Sequence, residues 1–168
     1  MKCDVRLYNV LFPVWILYFF PQLWVIVVPG NLVIDCLVLL LTLLALHHRD
    51  KKGVMKTLWW RFWLLGFAAD FIGTLWLTGI WLLASLTQQT LPWFSEIFSG
   101  AYLNPFRSLP GFMLIFSGVV LAGVCIYFFD KLAMRRCGLL TGREKHVVAL
   151  TMAIVTAPWT FLIPLYIG

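Results

Sequence analysis

The stretch PGNLVIDCLVLLLTLLALHHRDKK, Pro29 to Lys52, joins a long apolar run to a cluster of charge, with a single carboxylate, Asp35, inside the run. Its sixteen residues from Asn31 to Leu46 make a helix of about 24 Å, close to the hydrocarbon thickness of a bilayer, about 30 Å. Arg49, Lys51 and Lys52 follow at once, as positive residues follow a membrane helix on its cytoplasmic side. This stretch therefore reads as a crossing that enters from outside and ends inside.

The rest of the chain repeats the pattern. Of 168 residues 62% are apolar and only 12% charged, against about 45–50% and about 25% in soluble domains. The apolar residues fall in blocks, and 62–86, 111–129 and 147–167 each approach the roughly twenty residues a crossing needs. No polar segment is long enough for a soluble domain, so residues 1–168 read as one transmembrane domain. The predicted class is an all-α, polytopic helical bundle.

Upstream of Leu46 the chain stays apolar as far back as Leu7, enough for two crossings. The favoured arrangement is a hairpin with helices 7–28 and 31–46 and a turn at Pro29-Gly30-Asn31, five helices in all. It uses Pro-Gly-Asn as turn chemistry and places Lys2 and Arg6 inside. The alternative has four crossings: 7–20 is a re-entrant or interfacial piece and Gln22 to Leu46 one long kinked helix. The run from Leu7 exceeds a signal-peptide core and lacks a small-x-small cleavage motif, so it is expected to be retained.

Charge orients the bundle. Arg49, Lys51, Lys52, Lys56 and Arg61 crowd loop 47–61, and Lys131, Arg135, Arg136, Arg143 and Lys145 crowd loop 131–146, whereas the loop between carries only Arg107. Both basic loops are therefore expected in the cytoplasm and the C-terminus outside, in a plasma or inner membrane. The net charge of +6 is used up by this pattern and does not imply nucleic acid. Thr141-Gly-Arg-Glu144 forms a capping box for the last helix, and Pro92 opens a candidate short helix in the outer loop. The tryptophans gather toward the two boundaries, as an aromatic belt does.

Asp35 has a counterpart in Asp70. Counted from the cytoplasmic ends of their helices, they lie about 17 Å and about 12 Å deep, within one helical turn of each other. Asn31 lies four residues from Asp35, and Thr74 and Thr78 follow Asp70 at steps of four, so each acid has polar neighbours on its own face. A charge at mid-membrane costs at least about 2.5–3.5 kcal/mol, and no Lys or Arg lies at that depth. Asp35, Asp70, Asn31 and Thr74 are thus the candidate ion- or partner-binding residues. The competing structural reading has a protonated Asp bonded to Asn31, Thr74 or a carbonyl, holding helices together. Asp130 abuts Lys131 and reads as a solvated boundary residue.

Other chemistry finds little support. His47, His48 and His146 share one boundary, but adjacent histidines diverge on a helix, and no metal is assigned. The four cysteines show no CxxC spacing. HExxH, P-loop, GxSxG and Rossmann patterns are absent, and an aspartyl dyad of Asp35 and Asp70 lacks a Gly-x-Gly-Asp setting. No catalytic residue or cofactor is assigned, and the chain reads as something other than an enzyme. Two functions remain: a small proton- or cation-linked transporter or channel subunit using the intramembrane carboxylates, or a non-catalytic subunit or scaffold of a larger membrane complex. The partners expected are the lipid bilayer, with further copies of the chain or other membrane subunits. Gly118 and Ala122 offer a small-residue contact, within the bundle or between copies.

Overall fold

An apolar segment offers its backbone no polar partner except itself, and the helix satisfies every interior amide and carbonyl locally. The computed structural model describes residues 24–87 and 89–164, and these are helical, with no strand among them. Five α-helices follow in order: α1 Trp24–Ala45, α2 Lys51–Leu86, α3 Pro92–Leu103, α4 Leu109–Ala133 and α5 Gly142–Val155. Short 3-10 turns follow α3 at Pro105–Arg107, α4 at Met134–Arg136 and α5 at Trp159–Leu162. Four segments are long and apolar enough to cross a membrane: Val27–Ala45, Lys51–Leu86, Leu109–Arg136 and Gly142–Leu162.

The first helix corrects the predicted turn. Trp24–Ala45 runs unbroken through Pro29, Gly30 and Asn31, so the hairpin between 7–28 and 31–46 does not form. Proline removes only one backbone hydrogen bond from a helix, and neighbouring helices compensate such losses in apolar bundles. Here the Trp63 indole N–H of α2 donates to the Val28 carbonyl at 3.2 Å, beside the proline. The long-helix alternative holds for residues 24–45. The segment 7–20 lies outside the described residues.

The ends are set by local chemistry. α1 closes in a Schellman-type pattern: the amide of His48 reaches the carbonyl of Leu43 at 3.1 Å and that of His47 reaches Leu44 at 3.0 Å. His47 takes the left-handed position with φ 52°. Asp50 then caps α2, accepting from the Gly53 amide at 2.9 Å, so that helix begins at Lys51 rather than at 62. At 36 residues it is about 54 Å long and outreaches a bilayer core. Pro92 opens α3 within its first turn, and Thr141 and Glu144 form the predicted capping box at the start of α5.

α2 and α4 form the central pair, antiparallel, with α1 and α5 against them. Gly73 lies so close to α4 that a methyl there would meet the Gly118 carbonyl oxygen at 3.0 Å and the Ala122 methyl at 3.1 Å. The small-residue contact is therefore internal. Two apolar clusters fill the bundle. The larger, at the basic end, includes Leu39, Leu43, Leu58, Phe62, Ile126 and Met152; the smaller, at the opposite end, includes Leu77, Ala101, Ile115 and Phe161. The outer faces of the helices are apolar too, with Leu41, Leu64, Phe71, Met113 and Phe128 all exposed.

Candidate functional site

Asp35, Asp70 and Asp130 reach their places through helical spacing. On α4, Ile126, Asp130 and Met134 follow at steps of four, and all three are buried. On α1, Asp35, Leu39 and Leu43 do the same. Asp35 is 4% and Asp130 1% exposed, and both project into the larger apolar cluster rather than to its rim. Asp70 is partly buried on α2, one turn beyond Gly66.

Contacts between helices bring the three acids to nearby levels. Asp35 Oδ2 lies 3.7 Å from the point a methyl on Gly66 would occupy, so α1 sets its carboxylate against α2 one turn from Asp70. The α2–α4 register is fixed at two points, where Gly73 meets Gly118 and Ala122, and where Arg61 Nη1 donates to the Ala133 carbonyl at 3.4 Å. Between these points Asp130 falls level with the turn from Trp63 to Gly66, beside Asp35. Asp35 is in electrostatic reach of both Asp70 and Asp130.

Their polar surroundings are unusual for what they lack. Asp35 Oδ2, Asp70 Oδ1 and both oxygens of Asp130 are buried without a hydrogen-bond partner. The hydroxyls that could serve them are turned to their own helices. Thr74 donates to the Asp70 backbone carbonyl at 2.9 Å, Thr78 to that of Thr74 at 2.8 Å, and Thr42 to that of Val38 at 2.7 Å. Asn31, half-buried one turn from Asp35, leaves Asp35 Oδ2 unpartnered. Arg61 stacks over Trp60 at 5.4 Å and reaches Ala133, and His48 is paired with Glu144, at 2.9 Å.

The structure sets Asp35 against α2 one turn from Asp70, leaves Thr74 bound to backbone, and adds Asp130 as a buried acid. The expectation that Asp130 is a solvated boundary residue is wrong. Its neighbour Lys131 points about 100° away around the helix, whereas Ile126 and Met134 share its face. That i±4 apolar framing was the readable signal, and the adjacency to lysine hid it.

Buried carboxylates without cationic or hydrogen-bonding partners must take up a proton or a cation, because an isolated buried charge is too costly. Among the described residues no group of three His, Cys, Asp or Glu side chains is close enough to hold a metal ion. The histidines diverge as their spacing suggested: His48 pairs with Glu144, His146 Nδ1 shares a hydrogen bond with the Tyr127 hydroxyl at 2.9 Å, and His47 donates to the Ala45 carbonyl at 3.1 Å.

Fold and site define an all-helical bundle, four of its helices long and apolar enough to span a membrane, with three acids whose carboxylate oxygens are buried inside it. The chain matches no family model, no curated protein and no solved structure.

Proposed function

We propose that this chain is an integral membrane protein of the plasma or inner membrane that carries protons or a monovalent cation, alone or as a channel subunit. Asp35, Asp70 and Asp130 are its ion-holding groups, and loops 47–61 and 131–146 face the cytoplasm. The observation that carries the reading is the set of four buried carboxylate oxygens without partners. A structural role needs those oxygens bonded across helices, and a solvated role needs them exposed. Transport needs them available to an ion that comes and goes. The burial of Asp35 and Asp130 also speaks against the subunit reading, since a partner's cation would have to open the bundle to meet them.

The test is ion flux into liposomes holding the purified chain and a trapped pH dye, driven by a potassium diffusion potential. Wild type is expected to acidify the lumen, or to pass sodium or potassium in the matching ion assay. Asp35→Asn and Asp70→Asn should reduce flux to the level of empty liposomes, because Asn keeps the shape but cannot carry the charge. Flux unchanged in both variants overturns the assignment.

A further inference from the structure

A second feature lies at the basic end, on the exposed side of α4 rather than on the buried face that carries Asp130. A cleft of about 420 Å³ opens between the end of α4 and the start of α5, lined by Phe128, Lys131, Leu132, Arg135, Gly142 and Lys145. Three of its six lining residues are cations and none is an acid. Glu144, which adjoins Lys145 in the chain, is engaged elsewhere: it accepts from the Thr141 amide and hydroxyl, both at 2.8 Å, and from His48 at 2.9 Å. Lys131 is held in place, donating to the Tyr127 hydroxyl at 3.1 Å with its ammonium 5.3 Å from that ring. An ammonium has three donors, so two remain for a ligand.

The apolar side of the cleft continues along the bundle. Val120, Val124, Phe128 and Leu132 follow at steps of four on the outer face of α4, and all are between 46% and 62% exposed. They form a rail about 18 Å long, leading from the three cations down a span apolar enough to cross a membrane. Cations alone would suit any phosphate. A hydrocarbon rail joined to them suits a phosphate that carries an acyl chain.

We propose that this cleft binds an anionic phospholipid, with Lys131, Arg135 and Lys145 holding the headgroup phosphate and an acyl chain lying along the α4 rail. The assignment rests on the membrane location proposed above, but not on ion transport. Basic residues at the cytoplasmic boundary attract anionic headgroups, and the charge and shape of this cleft give that attraction one address.

Native mass spectrometry of the full chain in detergent, titrated with phosphatidylglycerol or phosphatidylcholine, tests the site. Wild type should retain phosphatidylglycerol at least about tenfold better, as expected for several cations acting on one anionic headgroup. Lys131→Gln/Arg135→Gln/Lys145→Gln should abolish the preference, while Lys131→Arg/Lys145→Arg, which keeps the charge, should preserve it. Arg49→Gln/Lys51→Gln/Lys52→Gln, in the other basic loop, should leave it intact. Inorganic phosphate and glycerophosphoglycerol, which lack acyl chains, should fail to compete at concentrations where phosphatidylglycerol does. Equal retention of the two lipids, equal loss in both triple-Gln variants, or competition by the chainless phosphates overturns the proposal. Extraction of the native chain from membranes by alkaline carbonate would instead overturn the membrane location, so the two failures are distinguishable.

Discussion

Asp130 has two carboxylate oxygens without partners, on a buried helix face it shares with the apolar Ile126 and Met134. A buried polar group left unsatisfied costs about 1–3 kcal/mol, and stability alone would favour a hydrocarbon side chain there. Asp130→Leu is therefore expected to raise the thermal midpoint of the purified protein in detergent, by an amount corresponding to about 1–3 kcal/mol, while abolishing ion flux. A thermal scan and the liposome assay on one preparation check both. If Asp130 held helices together, the same change would lower the midpoint. The stripe of hydroxyls beside Asp70 belongs to the same scale. Thr74 and Thr78 look like an ion-binding lining in the sequence, but each spends its proton on the preceding turn of its own helix.

At the scale of elements, the acids depend on how closely α2 and α4 approach. Gly73 permits that approach, and a side chain there would press on backbone, the Gly118 carbonyl, which cannot swing aside. Gly73→Val should separate the helices and destabilise the bundle by about 1–3 kcal/mol, as overpacking does. Thermal unfolding followed by circular dichroism would measure it. Gly66 makes the contrasting case, since a methyl there meets Asp35 Oδ2 at an ordinary 3.7 Å. Gly66→Ala is expected to fold as wild type and to slow ion flux, because the methyl fills space next to the carboxylate. Wild-type flux in Gly66→Ala would show that ions do not use that side of Asp35.

At the scale of the molecule, both basic segments lie at one end of the bundle because the helices alternate in direction. α2 begins there, α4 ends there and α5 begins there. Two residues report its orientation. Gln89 is exposed in the turn after α2, at the opposite end, and Gly138 is exposed between α4 and α5, with open space where a side chain would go. In intact cells an impermeant maleimide should label Gln89→Cys, and should label Gly138→Cys only after permeabilisation. The reverse pattern would invert the proposed topology and put the lipid cleft on the outer leaflet.

Composition and charge placement were enough to determine an all-α chain with helices long and apolar enough to cross a membrane, and to single out Asp35 and Asp70 as acids within apolar helices, expected at similar depth. These properties are local or additive: hydropathy sums along a segment, and depth follows from a fixed rise per residue counted from a charged end. The capping box and the Pro92 helix start were legible for the same reason, being contacts between residues three or four apart. The fate of Pro29 was not legible. Whether Pro-Gly-Asn turns or continues depends on what a neighbouring helix offers, and here Trp63, thirty-four residues on, bonds the backbone beside it. Asp130 was legible only in part: its neighbour in the chain is a lysine, and the Ile126 and Met134 that frame it at steps of four do not by themselves say that their face is buried. Only packing decides which face of a uniformly apolar helix turns inward, because hydrophobicity cannot distinguish a face against lipid from one against protein.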